Sequence, residues 1–248
     1  MKRTLIQPNL SEFPEVFHPL LRGSDIYDSS CSQLARVLFF ESEGGVYLKS
    51  AAAGSLEKEA AMTRFYHSRR IGSVPLAAEV LDYRTESGRD WLLTARVPGE
   101  DCTFPKYWED PKRLCDTTAS LLRQLHELDI DGCPVTDRHG DYIATAHKNR
   151  EAGFCDLNLF PEQDWGFSSP EEAWAMVETH EKHLTRNTLL HGDYCLPNTV
   201  LDNWRFSGFI DVGRGGIGDR HNDIFWGVWT LFFNLKTNAY CNRFLDAY

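Results

Sequence analysis

LLHGDYCLPNTVLDNWRFSGFIDVGRGGIGDR, residues 189–220, is the stretch whose reading decides the fold. Its apolar pieces are short: Leu189-Leu190 runs into His191-Gly192-Asp193, and the runs 199–201 and 206–210 flank Asp202-Asn203-Trp204. Two short apolar runs around an Asp-Asn turn predict a β-hairpin. A hairpin here gathers three polar side chains, Asp193 and Asn198 from the loop before it and Asp211 from its exit. Any one of them alone reads as an ordinary turn residue. Together they are an all-oxygen set with no soft partner, which suits a hard cation such as Mg²⁺.

An Asp, an Asn five positions later and a metal-binding Asp just after a hairpin is the spacing of protein kinases. His191-Gly192-Asp193 with Asn198, then Ile210-Asp211-Val212-Gly213-Arg214 and Asp219-Arg220-His221-Asn222-Asp223, resembles the aminoglycoside 3′-phosphotransferases, bacterial antibiotic-resistance kinases. The runs Cys195-Leu196-Pro197-Asn198 and Ser207-Gly208-Phe209-Ile210-Asp211 are similar to that family almost letter for letter. The likeness is densest over residues 153–223 and traceable from about residue 32. It implies an α+β, two-lobed protein-kinase-like fold: an antiparallel sheet with one helix over residues 1–95, and a mainly helical lobe with catalytic loop and hairpin over 96–248. It also implies ATP or GTP as phosphoryl donor and a small hydroxylated, cationic acceptor. Asp193 would accept or orient the acceptor proton, and Asn198 and Asp211 would hold Mg²⁺. His191 and Asp223 would be supporting residues.

Upstream, Arg36–Phe40 and Gly45–Lys49 flank the turn Glu41-Ser42-Glu43-Gly44 and predict a second hairpin. Lys49 ends its strand as Val-Tyr-Leu-Lys, similar to the strand of the phosphate-contacting lysine in kinases. A helix is expected from about Ser55, a good capping residue. Glu59 lies ten positions after Lys49 on that helix and, in a kinase-like fold, orients the lysine by an ion pair; Glu57 is the alternative. Ser32, in the run Ser29-Ser30-Cys31-Ser32, stands where the family has a serine-containing phosphate loop, although the run also reads as a plain turn. Trp91–Ala95 leads into Arg96-Val97-Pro98-Gly99. This resembles the hinge between lobes, whose backbone from Thr94 to Arg96 would hydrogen-bond the base.

Beyond the hinge the pattern is helical. Asp110-Pro111 opens a helix with Leu114, Leu121, Leu122, Leu125 and Leu128 on one stripe, where His126 reads as a packing histidine. Ser169-Pro170-Glu171-Glu172 opens another, carrying Trp174, Val177 and Leu184 inward. Residues 224–233 are apolar nearly all round, the pattern of a buried helix.

The acceptor half departs from the resemblance. On the loop 153–162, usual acidic positions fall on Leu159 and Pro161, leaving Asp156 and Glu162, with Arg214, as acceptor-binding candidates. On the helix after Asp223, usual charged positions fall on Trp229, Thr230 and Phe233. The family also continues with a further helix where this sequence stops at Tyr248. Three readings follow: an aminoglycoside or aminosugar kinase, a same-fold kinase for another metabolite or a macrolide-like acceptor, and a nucleotide-binding module without transfer.

Composition narrows the compartment and partners. A formal charge of −10 argues against nucleic acid or an anionic membrane as partner and suits cationic substrates. Seven cysteines, no two closer than thirteen positions, show no Cys-x-x-Cys pair and no disulfide framework. With no apolar signal segment after Met1-Lys2-Arg3, they suggest a cytoplasmic protein with reduced thiols.

Overall fold

The structure, a computed structural model, describes residues 4–31, 33–42, 44–154 and 168–248. The amino-terminal part runs through β1 (Thr4–Ile6), the short α1 (His18–Arg22), β2 (Asp25–Asp28), β3 (Arg36–Glu41), β4 (Val46–Ala52) and α2 (Glu57–Ser68). It continues through the two-residue strands β5 (Arg70–Ile71) and β6 (Val74–Pro75) to β7 (Val80–Glu86) and β8 (Arg89–Ala95). Six of these strands form one antiparallel sheet in the order β1-β2-β3-β4-β8-β7. The expected hairpin is β3–β4, registered Arg36 to Ser50 and Phe40 to Val46. Alternation puts Leu38, Phe40 and Leu48 in one buried cluster with Phe13, Phe17 and Trp91.

Helix α2 begins two residues after Ser55, and its cap comes from another strand. Buried Asp90 on β8 accepts the Leu56 N–H at 2.9 Å, while the Ser55 hydroxyl donates to the Ala52 carbonyl. A carboxylate is a stronger acceptor for an orphan helix N–H than a hydroxyl, and it also favours the positive end of the dipole. At its far end α2 is pinned to the helical lobe by the buried Tyr66, whose hydroxyl donates to the Leu190 carbonyl at 2.6 Å.

After Ala95 the chain becomes mainly helical, with β9 (Glu100–Asp101), α3 (Pro105–Trp108), α4 (Pro111–His126), α5 (Arg138–Glu151) and α6 (Pro170–His180). Then follow β10 (Thr188–Leu190), β11 (Thr199–Asp202), β12 (Arg205–Phe209), β13 (Gly216–Gly218), α7 (His221–Leu235) and α8 (Cys241–Ala247). The two proline-started helices are capped as read: Asp110 accepts from Arg113 N–H, and Ser169 accepts from Glu172 N–H. The α4 stripe is buried at Leu114, Leu121, Leu122 and Leu125.

Two helix readings need correcting. Helix α6 ends at His180, so Leu184 lies beyond it and is exposed, although Trp174 is buried. Helix α7 is not buried all round: Gly227, Thr230 and Leu231 face the core, while Phe233 is 41% exposed. Trp226 packs against the core cluster, and Trp229 stacks on Phe233 at 4.7 Å and meets Trp226 edge-on at 5.4 Å. Among the described residues six free cysteines are present, and no helix is long and apolar enough to cross a membrane.

Candidate active site

The catalytic stretch is built on two small pairings. β10 pairs with β13, Leu190 opposite Gly216, and β11 pairs with β12, Thr199 opposite Phe209. The β11–β12 turn puts Asn203 and Trp204 at φ 48° and 69°, the left-handed pair of a two-residue hairpin whose twist matches its strands. The hairpin also takes β9 as a third strand, so the segment after the hinge is registered against the site.

Between β10 and β11 the loop is fixed by buried groups. The fully buried Asp223 on α7 accepts the His191 N–H at 2.6 Å and the Gly192 N–H at 2.8 Å. The His191 ring is buried edge-on to Tyr194 and Phe209, and its Nδ1 accepts the Asp193 N–H at 3.3 Å. Burial holds that imidazole below its ordinary 6.5 in spite of nearby Asp223 and Asp193, so it is neutral and braces the loop. The Asn198 amide donates to the Asp193 carbonyl at 2.9 Å and to its carboxylate at 3.2 Å. Thr230 on α7 accepts the Leu196 N–H at 3.1 Å. Burial, then Asp193, drives the Cys195 thiol pKa upward, so this cysteine is no nucleophile.

The hairpin exit returns to the same place. Ile210 N–H donates to the Asn198 carbonyl at 3.0 Å, which sets Asp211 beside Asn198. Asp211 is left-handed, φ 57°, a conformation in which Asp and Asn are the most tolerated side chains. Two glycines allow the close approach that follows. A Cβ on Gly192, which sits at φ +82°, would strike the Arg214 carbonyl, and one on Gly213 would meet the Glu59 side chain at 2.9 Å.

From the other lobe Lys49 completes the cluster. Its ammonium lies 2.8 and 2.9 Å from the two Glu59 oxygens and 3.2 Å from Asp211 Oδ1. The Glu59 carboxylate is thus the partner, and not Glu57, which is exposed. Burial pulls the Lys49 pKa down, but Glu59 and then Asp211 outweigh it and hold the ammonium above its ordinary 10.5. Burial pushes Glu59 above its ordinary 4.5, Lys49 opposing and Asp211 adding to the rise. Two carboxylates share one ammonium. Of the two, Glu59 is 16% exposed and Asp211 54%, so Asp211 is the one open to a ligand.

Asn198 and Asp211 offer only oxygen to a cation. Among the described residues no group of three or more His, Cys, Asp or Glu side chains forms a metal cage. A pair of hard ligands completed by water and phosphate fits Mg²⁺, which is seldom held by an all-protein cage.

The remaining expected residues fall as follows. Thr94 lies within the sheet between Tyr47 and Val80. The Arg96 N–H already donates to the Gly45 carbonyl at 3.0 Å, which removes it as a donor to a base. Arg214 is exposed on the segment after Asp211. Ser32, Asp156 and Glu162 lie outside the described residues. The sequence reading missed Asp90, Arg138 and Tyr142. For Arg138 and Tyr142 the turn chemistry at Asp137, which caps α5 by accepting the Gly140 N–H, marks the neighbourhood.

The model of the phosphotransferase enzyme family matches residues 33–248. A probable aminoglycoside 3′-phosphotransferase of Lactococcus lactis is 42% identical over 97% of this chain and 89% of its own. The chain belongs to the aminoglycoside phosphotransferase family. An aminoglycoside 3′-phosphotransferase of Streptomyces fradiae is 31% identical over 79% of this chain and 74% of its own. Among solved structures, a type VIII aminoglycoside 3′-phosphotransferase covers 95% of this chain and 92% of its own, with TM-score 0.70 and 25% identity. APH(3'')-Id from Streptomyces rimosus, in complex with ADP and streptomycin, gives TM-score 0.74 at 24% identity over 94% of this chain and 90% of its own. This family member therefore has the protein-kinase-like fold and is a nucleotide-dependent phosphotransferase with a hydroxyl group as acceptor.

Proposed function

We propose that the protein transfers the terminal phosphoryl group of Mg-ATP or Mg-GTP to a hydroxyl of an aminoglycoside or related aminosugar. The observation that carries this reading is the Lys49 ammonium between Glu59 and Asp211, on a loop and hairpin that also set Asn198 against Asp193. Lys49 would hold the donor's inner phosphates, with Glu59 keeping its ammonium in place. Asn198 and Asp211 would hold Mg²⁺, whose charge neutralises phosphate oxygens when bound. Asp193 would orient the acceptor hydroxyl and take its proton. The base would lie against the backbone of Thr94 to Arg96.

The test is transfer of labelled terminal phosphate from ATP and from GTP to a panel of aminoglycosides, for the wild type and for Asp193→Ala. The variant should retain nucleotide affinity and lose transfer; full transfer by it would overturn the role of Asp193.

A second acceptor class is favoured by one observation. Phe233 on α7 is exposed and has the Lys236 ammonium 4.2 Å from its ring, so this surface offers apolar area and a positive charge. An acceptor with an apolar ring face suits it better than a polycation, and macrolide-like hydroxyl compounds belong in the same panel.

A further inference from the structure

The first two turns of α5 touch the backbone of both loops that carry Asp193 and Asp211. Arg138 is buried, and its guanidinium donates from Nε and Nη2 to the Gly215 carbonyl, at 3.0 and 2.8 Å, and from Nη2 to the Gly213 carbonyl at 3.1 Å. Those carbonyls follow Asp211 by two and four residues. One turn along, the Tyr142 hydroxyl donates to the Gly192 carbonyl at 2.7 Å, the residue before Asp193. It also lies 3.5 Å from the Arg214 carbonyl. Between them Asp141 accepts from Arg138 at 3.2 Å and from Lys58 at 3.0 Å, and Lys58 is the neighbour of Glu59 on α2.

We infer that Arg138 and Tyr142 are positioning residues for phosphoryl transfer: α5 clamps the catalytic loop and the metal loop to one another through their backbone carbonyls. This inference rests on the roles proposed for Asp193 and Asp211. A rigid fork of five donors suits two carbonyls two residues apart, and a lysine, with its compact ammonium, cannot span them in the same way. Burial, then Asp223, raises the Tyr142 pKa to about 12, so its hydroxyl stays protonated and donates throughout the working range. Arg138 and Tyr142 sit behind the loops and act through them, fixing where the carboxylates of Asp193 and Asp211 point. Displacement of a reacting group by about 1 Å can cost on the order of 100-fold in rate. The clamp therefore belongs to the reaction geometry as well as to the fold.

The test compares Arg138→Lys and Tyr142→Phe with the wild type. It measures steady-state transfer to the acceptor found in the panel, or Mg²⁺-dependent nucleotide hydrolysis with water as acceptor where the panel is silent. Tyr142→Phe should lower kcat about 10-fold, the value of one lost hydrogen bond. Arg138→Lys should lower it by about 10- to 100-fold. In both, the nucleotide KM should stay close to wild type, and the thermal midpoint should fall by a few degrees without collapse. Unchanged kcat in a folded Tyr142→Phe would overturn the inference, as would a loss explained wholly by a rise in KM or a collapse of the midpoint in both variants. Silence of the whole acceptor panel would instead count against the aminoglycoside reading, and the water assay would still decide the clamp.

Discussion

The Asp223 carboxylate and the His126 ring lie 3.2 Å apart, and neither side chain is more than 1% exposed. With the His126 Nε2–H directed at the carboxylate, Nδ1 accepts from the Tyr248 hydroxyl at 2.7 Å. A chain of polar groups thus runs from the half-buried Tyr248, just past α8, through the buried His126 on α4 and Asp223 on α7 to the His191–Gly192 peptide. Each member satisfies the next, so removing one strands the others away from water. Asp223→Ala leaves two N–H groups and an imidazole without their acceptor. It should cost about 3–5 kcal/mol of stability, read from urea unfolding. His126→Phe keeps the bulk but leaves Asp223 short of one donor and should cost about 1–3 kcal/mol. If Asp223→Ala unfolds at the wild-type urea midpoint, the chain of buried groups does not hold the loop.

Glu59 and Asp193 make opposite predictions. Among the described residues the Glu59 carboxylate is hydrogen-bonded to Lys49, so Glu59→Gln should loosen the ammonium without disturbing the acceptor side. Loss of one charge-assisted contact, about 1.5–3 kcal/mol, corresponds to a nucleotide KM higher by about 10- to 100-fold. Nucleotide titrations followed by thermal shift check this directly. Glu57→Gln should leave the same titration unchanged.

Acid should weaken the attachment of α2. Burial works to raise the Asp90 pKa, but hydrogen bonds from Thr85 and from the Leu56 and Gly54 backbone hold it below its ordinary 3.8. Asp219 behaves alike: burial raises it, while the Thr185 and His221 N–H groups and the His221 side chain bring it below 3.8. A carboxyl whose folded pKa is depressed stabilises the fold fully above its unfolded value and loses that contribution as pH falls through the folded one. Stability should therefore be flat from neutrality to about pH 5 and fall below about pH 4. Asp90→Asn should be less stable at neutral pH and show a shallower acid slope in urea midpoints. An acid slope identical to wild type would rule out Asp90 as a source of it.

Legibility in the sequence followed the kind of partner each residue has. That Asp193, Asn198 and Asp211 come together was readable because one hairpin restricts their spacing. Lys49 was readable from its strand and Glu59 from its spacing and the resemblance, and the rotational phase of α2 against Gly213 is what turns Glu59 rather than Glu57 toward the lysine. Asp90, Arg138 and Tyr142 were not readable, because they bind backbone groups 34, 77 and 50 residues away. A backbone carbonyl or N–H is the same at every residue and leaves no complementary letter to find. Helix α7 was misread for a related reason: aromatic side chains that shield one another look, in sequence, like side chains shielded by a core.

Asp211 combines an exposed carboxylate with a left-handed backbone, and that combination can be pulled apart. The left-handed conformation costs a residue with a Cβ roughly 1–2 kcal/mol. Glycine escapes this but brings about 0.5–1 kcal/mol of extra chain entropy to be lost on folding. Asp211→Gly should consequently unfold within about 1 kcal/mol of wild type, or above it, whereas Asp211→Ala keeps the backbone cost and should not gain. Both remove the ligand. Nucleotide-induced stabilisation, which in the wild type should require Mg²⁺ and vanish with a chelator, should lose its Mg²⁺ dependence in both variants. A wild-type Mg²⁺ response in a folded Asp211→Gly would mean that the cation is held elsewhere. A large destabilisation of Asp211→Gly with its metal response intact would mean that this carboxylate serves the fold through Lys49 and not the nucleotide.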